Sequence, residues 1–205
     1  MGYTTEFTGQ FDFDKRLDSK THEFLIKFSD TRRMKRDVGP EYGVDGEFYV
    51  DGTGWKGQDK DSTIIDYNTP PSTQPSLWCD WAPTKDGLHI EWNGMEKFYD
   101  YVAWLEYIIK NFFQPKGYVL NGDVRWQGEE PGDQGHIVVV DNCVMPLEQP
   151  VYDKVTGIVG EPENLRDSQF SPLLVGISPE VSKFIEGCLK MSTNDQVSKQ
   201  RIQWK

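Results

Sequence analysis

The chain has 205 residues, and 37% of them are hydrophobic, which is enough to bury a sizeable core in one domain with or without an extension. Its formal net charge of −11 at pH 7 repels phosphate backbones and anionic lipids, so it argues against binding to duplex nucleic acid and to membranes. The acidic residues are scattered among glycines and aromatic residues, which argues against a mimic of DNA. Aromatic residues make up 13% of the chain, and their rings can either fill a core or stack on a ligand.

The cysteines and the N-terminal segment indicate the compartment. Cys79, Cys143 and Cys188 are widely separated, show no metal-ligand spacing and are odd in number, so we expect buried free thiols. Residues 1 to 20 carry no apolar signal core, and no run approaches the ~20 apolar residues that cross a bilayer. We therefore expect a cytoplasmic protein.

The N-terminal third predicts a strand, a helix and two short strands. Rings alternate with polar residues over 3 to 13, which is the pattern of a half-buried strand. Asp18 or Ser19 can cap a helix that carries an apolar stripe and ends near Ser29. Turn residues then isolate two apolar runs, at 47 to 50 and 62 to 67, and both are predicted to be strands.

The middle of the chain predicts two hairpins with a long helix between them. Residues 77 to 82 and 88 to 92 flank a turn and form the first hairpin. Asn93 and Glu96 match a capping box, which predicts a helix from 93 to about 113. The alternating runs at 118 to 126 and 137 to 140 predict the second hairpin.

This element order predicts an α+β fold, with a mainly antiparallel sheet, two helices packed on one face and a C-terminal extension. We assign residues 1 to 145 to the core domain and residues 146 to 205 to the extension. The extension is rich in Pro, Gly and polar residues, and residues 179 to 191 predict one short helix in it. It either folds onto the core or serves in assembly.

A basic segment is the most unusual local feature, because it places four cations within five residues of an acidic chain. If the first helix continues, three of them share one face and suit a phosphate or a carboxylate. Alternatively, the segment is a solvated helix end paired with Asp30 and Asp37, or its arginines form buried ion pairs with Asp12, Asp14 or Asp100. The four residues are Arg32, Arg33, Lys35 and Arg36.

Four rings are candidates for stacking on a nucleobase. Trp78 and Trp81 follow a Pro-rich loop, and strand alternation sends them to opposite faces, so at least one of the two is expected outside the main core. The alternative is a Trp packed under that loop. Tyr99 flanks the predicted long helix, and Trp126 lies on the second hairpin. We take all four as candidate ligand contacts.

Signatures of catalysis and of metal binding are poor. His22, His89 and His136 are isolated, so structural roles are favoured over catalytic ones, and no common hydrolase or P-loop pattern occurs. The acidic loop at 129 to 135 offers oxygens for Ca²⁺, but its spacing is not that of an EF-hand and a hairpin connection is favoured. We predict no catalytic residue, no metal and no cofactor, and we favour a binding protein over an enzyme.

Four motifs stand in one order along the chain: Phe-Ser-Asp-Thr-Arg-Arg-Met-Lys-Arg at 28–36, Asp-Tyr-Asn-Thr-Pro-Pro-Ser-Thr-Gln-Pro at 66–75, Leu-Trp-Cys-Asp-Trp at 77–81 and Glu-Lys-Phe-Tyr-Asp-Tyr at 96–101. Together they resemble a family of hypothetical proteins from bacteriophages and bacteria, over residues 2 to 145. A phage accessory protein with cations and rings but no catalytic residues is similar to the sponge proteins that sequester cyclic nucleotide signals of anti-phage defence, including CBASS.

The resemblance implies a phage-type protein of the host cytoplasm that binds and sequesters a nucleotide immune signal without turnover. Its ligand is expected to be a cyclic oligonucleotide or a related phosphorylated small molecule, bound by a homo-oligomer. One alternative is a protein-binding inhibitor or adaptor that acts on a host defence protein. A second is a nucleotide hydrolase that lacks a recognisable motif.

Overall fold

The computed structural model describes residues 2–50 and 58–148, and it confirms the predicted α+β fold. Two α-helices occur in these ranges, α1 (Ser19–Ser29) and α2 (Tyr101–Ile108), and α2 continues as a π-helical turn over Ile109–Phe113. The strands are β1 (Glu6–Phe13), β2 (Lys35–Arg36), β3 (Ile64–Asp66), β4 (Trp81–Pro83), β5 (His89–Trp92), β6 (Leu120–Gln127), β7 (Gln134–Val140) and β8 (Cys143–Glu148). The predicted helix at 179 to 191 lies outside the described residues.

Six strands form one antiparallel sheet in the order β4-β5-β1-β6-β7-β8, and β2 pairs with β3 in a separate two-stranded sheet. Strand β1 is central, because Phe11 lies opposite Ile90 of β5 and opposite Gly122 of β6. The predicted hairpin of β6 and β7 is confirmed. The sheet also gains a strand that the sequence did not predict, β8, which runs to Glu148, beyond the predicted domain boundary at residue 145.

Both helices pack on one face of this sheet, as predicted, with α1 against β4 and α2 from β8 across to β4. Asp18 caps α1 as expected, since its carboxylate accepts a hydrogen bond from the Thr21 amide at 2.9 Å. The core between helices and sheet is rich in rings; Phe28 of α1, for example, meets Trp104 and Phe112 edge to face. No described helix is long and apolar enough to cross a membrane.

The predicted start of the long helix is wrong. Residues 93 to 100 are irregular, and α2 begins at Tyr101 after Asp100, which has a left-handed backbone with φ of 56°. Asn93 does not cap a helix, because its amide donates to the Asp80 carbonyl and its side chain accepts from the Met95 amide. These contacts link the residue after β5 to Asp80, so the predicted capping box does not form.

The strand predicted at 47 to 50 is also wrong. A 3-10 turn over Val44–Gly46 ends at this point, and Gly46 adopts a φ of 79° that breaks any extended run. Glu47 turns inward, where its carboxylate accepts a hydrogen bond from the Tyr107 hydroxyl at 3.0 Å. The run at 62 to 67 does contain a strand, β3, and the first hairpin pairs β4 with β5 but starts at Trp81 rather than at residue 77.

Candidate functional site

The basic segment does not continue α1. The helix ends at Ser29, and the chain then runs extended, with the Arg33 amide donating to the Leu77 carbonyl and the Lys35 amide donating to the Thr69 carbonyl. The segment is no longer helical, and a register shift between Lys35 and Arg36 also interrupts strand alternation, so the predicted helical face is wrong. The four cations are instead divided between the interior and the surface.

Arg33 points into the protein, where only 1% of the residue is exposed. Its guanidinium lies 4.2 Å from the centre of the Phe28 ring and donates to the carbonyl of Tyr49. Burial lowers the pKa of Arg33 to about 10, so the group stays protonated at neutral pH. Arg33 therefore fastens the loop around residue 49 to the end of α1, and it is not accessible to a ligand.

Arg36 is buried as well, and its partner is Asp61 rather than Asp12, Asp14 or Asp100. A guanidinium nitrogen lies 2.6 Å from the Asp61 carboxylate, and the group stacks 4.1 Å from the centre of the Tyr49 ring. Lys35 is half-buried, and its amine lies 3.7 Å from the Asp45 carboxylate. Both cations are thus committed to contacts within the protein.

Arg32 is the cation of the segment that faces outward over aromatic rings. Its guanidinium lies 4.3 Å from the centre of the Tyr67 ring and 6.0 Å from that of Trp78. Its Nε donates to the Tyr67 carbonyl at 3.1 Å, and Nη2 lies 3.4 Å from the Asn68 side-chain oxygen. We call Arg32, Tyr67 and Trp78 the Arg32 cluster.

The other three candidate rings do not join this cluster. Trp81 is only 2% exposed, and its indole N–H donates to the Tyr101 carbonyl at 2.8 Å, so the prediction that it stacks on a ligand is corrected to a place in the core. Trp126 is half-buried on the helix-facing side of β6, 6.3 Å from the Tyr101 ring. Tyr99 is exposed, but no contact among the described residues links it to Arg32.

Tyr67 was missed as a candidate contact, although its motif was noticed. Its place beside Arg32 depends on β2 pairing with β3, where Lys35 lies opposite Asp66. Strands of two and three residues are too short to show an alternating pattern of polar and apolar residues in the sequence. The available sequence signal is that Tyr67 ends the strand predicted at 62 to 67, shortly before the Pro-rich motif at 70 to 75.

The Pro-rich motif at 70 to 75 has a structural role. Gln74 is buried, and its amide donates to the Glu47 carbonyl at 2.7 Å and to the Tyr107 hydroxyl at 3.1 Å. Burial and the neighbouring Glu47 carboxylate raise the pKa of Tyr107, which therefore remains a neutral donor. This network joins the loop at residue 47 to α2.

The histidines also occupy structural contacts. His89 lies 2.6 Å from Asp12, His136 lies 2.7 Å from Asp123, and His22 lies 2.8 Å from the Thr84 carbonyl. Across residues 2–50 and 58–148, no group of three or more His, Cys, Asp or Glu could hold a metal ion. The acidic loop at 129 to 135 connects β6 to β7, as the hairpin prediction required.

Asp80 gives a prediction about pH. It is buried, Asn93 donates to it at 3.4 Å, and burial raises the pKa of its carboxyl to about 6. The folded protein therefore holds this proton more tightly than the unfolded chain, and its stability falls as pH rises from about 4 to about 6. For Asp80→Asn, the free energy of unfolding relative to the unmutated protein should rise by about 2 kcal/mol between pH 4.5 and pH 7.5.

Urea unfolding of the two proteins at both pH values measures this change. The comparison cancels the titration of all other acids, and Asp86→Asn, at an exposed carboxyl in the β4–β5 turn, is the matched control. A difference between Asp80→Asn and the unmutated protein that does not vary with pH contradicts the assignment.

Comparison of the chain with protein-family models, with curated proteins and with solved structures finds no match.

Proposed function

We propose that the protein binds and sequesters a nucleotide immune signal or a related phosphorylated small molecule, without turnover, through the Arg32 cluster. The supporting observation is that Arg32 is held over the Tyr67 ring at 4.3 Å, with Trp78 beside it. The cluster combines a guanidinium for phosphate with ring faces for a base. The anti-defence role of a phage-type protein remains part of the proposal and depends on the resemblance of the motifs.

The hydrogen bonds of Arg32 support this use. Nε and Nη2 donate to residues 67 and 68, which fixes the plane of the guanidinium. Nη1 makes no hydrogen bond within the described part of the chain, so its two N–H groups can approach a phosphate. A cation that is already oriented loses little side-chain freedom when it binds.

The expected contact free energies indicate that a single Arg32 cluster binds its ligand weakly. A charge-assisted contact contributes about 1.5–3 kcal/mol and each stacked ring about 1–3 kcal/mol, while association costs at least about 4 kcal/mol. The most favourable remainder, about 5 kcal/mol, corresponds to a Kd above about 100 μM. Sequestration of a scarce signal therefore needs a second cluster on the same ligand, so the proposal includes a homo-oligomer that binds one ligand between two copies.

A protein-binding inhibitor or adaptor is the second candidate. Ile65 is 64% exposed and lies two residues before Tyr67 in sequence, so the segment that supplies a ring to the Arg32 cluster also carries an exposed aliphatic side chain. Tyr, Trp and Arg beside an aliphatic residue are typical of interface hot spots. Under this alternative, Ile65→Asp abolishes capture of one stoichiometric partner, whereas no nucleotide shifts the melting temperature.

We expect Arg32→Gln to weaken nucleotide binding at least about a hundredfold, because a ligand held between two copies loses two charge-assisted contacts of about 1.5–3 kcal/mol each. Its melting temperature should change little, since the side chain is at the surface. The measurement is calorimetric titration with the ligand that gives the largest thermal shift among cyclic dinucleotides, cyclic trinucleotides and ADP-ribose derivatives. Arg16→Gln is the matched control, because Arg16 is an exposed arginine that donates to the Asp86 carbonyl instead.

Three results contradict the proposal. The first is the absence of any thermal shift across the panel, and the second is unchanged affinity in Arg32→Gln. The third concerns turnover: the bound ligand is released by heating and analysed by chromatography, and a chemically altered nucleotide identifies a hydrolase instead. Sedimentation with and without ligand tests the oligomer, since the proposal expects one ligand for two chains.

A further inference from the structure

Two glycines make room for larger side chains at one end of the helix-facing side of the six-stranded sheet. Trp126 of β6 lies opposite Gly135 of β7, and a side chain at Gly135 would come within 2.8 Å of the indole, so the Trp126 ring lies over this glycine. The Gly128 amide donates to the Asp133 carbonyl, which continues the pairing of β6 with β7 and places residue 128 on the same side as residue 126. A side chain at Gly128 would collide with the Asp133 carboxylate and the Tyr3 hydroxyl. These two groups therefore lie next to Trp126 along the strand.

Tyr101 reaches the same place from the first turn of α2. Its ring lies 4.9 Å from that of Phe7 and 6.3 Å from that of Trp126, and the planes of the second pair meet at 42°. Both Tyr101 and Trp126 are half-buried, so part of each ring is open to solvent. Burial and, after it, the charge of the Asp133 carboxylate raise the pKa of Tyr101, which supports a position of this carboxylate near the Tyr101 hydroxyl.

Several polar groups at this place are available to a ligand. The Trp126 indole N–H and the Tyr101 hydroxyl make no hydrogen bond within residues 2–50 and 58–148, although such groups usually find a partner when they are partly buried. The Tyr3 hydroxyl donates to one oxygen of Asp133, and no Lys or Arg in the same ranges pairs with this carboxylate. Ring faces and a carboxylate without a cation are therefore open to the same space.

This combination selects for a cation. Aromatic ring faces attract ammonium groups, and the Asp133 carboxylate adds to that attraction, whereas a phosphate is repelled here and by a chain of net charge −11. A primary ammonium has three N–H donors that each need an acceptor, but most of the lining consists of ring surface. A methylated ammonium group has few or no N–H donors, so rings and one carboxylate suffice for it.

We infer that Tyr3, Tyr101, Trp126 and Asp133 form a binding site for a methylated ammonium group, such as that of choline or of a trimethylated lysine side chain. We call these four residues the Asp133 site. It shares no residue with the Arg32 cluster, and its ligand carries the opposite charge, so the inference does not depend on the proposed nucleotide. It also gives Trp126, which the sequence suggested as a contact for a base, a different ligand.

The first test is a titration with choline followed by nuclear magnetic resonance. The chain has seven tryptophans, and Trp126→Leu identifies the indole N–H signal of Trp126 by its loss. We expect choline to shift this signal with at least tenfold higher affinity than its uncharged carbon analogue, in which a tert-butyl group replaces the trimethylammonium group. Equal affinity for the two compounds, or no shift of the Trp126 signal, overturns the inference.

The second test uses the charge of Asp133, in a turn outside the core, so it stands even if Trp126→Leu fails to fold. Asp133→Asn should weaken choline binding about tenfold, because it removes the carboxylate and keeps the shape of the side chain. Glu91→Gln is the matched control, since it removes one charge from an exposed residue on the opposite face of the sheet and should leave the affinity unchanged. Unchanged affinity in Asp133→Asn, or an equal loss in both variants, overturns the inference.

A short peptide with one trimethylated lysine identifies the source of the ammonium group. Binding of this peptide more tightly than choline supports a site for a methylated protein, and equal or weaker binding supports a site for a small molecule. The unmethylated peptide is the control and should bind more weakly than the trimethylated one. Equal or tighter binding of the unmethylated peptide overturns the assignment of a methylated ligand.

Discussion

Trp81→Ala is expected to lower the free energy of unfolding by about 3–5 kcal/mol, which is the usual cost of emptying a buried aromatic site. The indole is 2% exposed and packs against the rings of Phe7, Phe11 and Phe98 at centroid distances of 5.3, 5.5 and 5.4 Å. The substitution removes these contacts and leaves the Tyr101 carbonyl without its indole donor. Urea unfolding at neutral pH measures the loss.

Tyr99→Ala is the control for this substitution. It removes another ring that the sequence proposed as a ligand contact, but Tyr99 is 48% exposed, so the change in stability should stay within about 1 kcal/mol. A loss below about 1.5 kcal/mol for Trp81→Ala contradicts a core position. Under the proposed function, folded Trp81→Ala also retains nucleotide binding, which separates the core from the Arg32 cluster.

The sequence predicts those elements whose signals are local. The alternation of rings in β1, the Asp18 cap of α1 and the β6–β7 hairpin are each encoded within a few residues, and the structure contains all three. The errors arise where contacts distant in sequence override local preference. Asn93 bonds to Asp80 rather than to a helix, and Glu47 turns inward to meet Tyr107.

In the candidate site, too, local sequence signals are predicted and the contacts between distant segments are not. The sequence identifies a basic segment and several rings, but spacing alone cannot say which side of an extended chain is covered. The loops that contribute Tyr49 and Asp61 enclose Arg33 and Arg36, and they leave Arg32 at the surface. The sequence groups these four cations into one site, but the structure separates them. Arg33 and Arg36 are buried, Lys35 pairs with Asp45, and Arg32 is the one that stays a candidate ligand contact.

The buried arginines give the second large prediction. Arg36→Gln should lower the free energy of unfolding by about 3 kcal/mol or more, because it leaves the Asp61 carboxylate without its buried partner. The Arg36 side chain is 1% exposed and that of Asp61 is 22% exposed, so water compensates the carboxylate only in part. The neighbouring Lys35→Gln is the matched control; in its 3.7 Å pair with Asp45 both side chains are about one-third exposed, so the loss should be at most about 1 kcal/mol.

A double-mutant cycle tests whether the loss comes from the ion pair itself. If it does, Arg36→Gln combined with Asp61→Asn costs less than the sum of the two single substitutions, because neither charge is left buried alone.

Hydrogen bonds from Thr63, together with Arg36, lower the pKa of Asp61 to about 2. The unfolded chain binds this proton more readily, so the stability from Asp61 is present above about pH 4 and is lost as pH falls toward 2. The cost of Asp61→Asn should therefore shrink over that interval, and a cost that is the same at pH 2.5 and pH 7 contradicts the lowered pKa of Asp61.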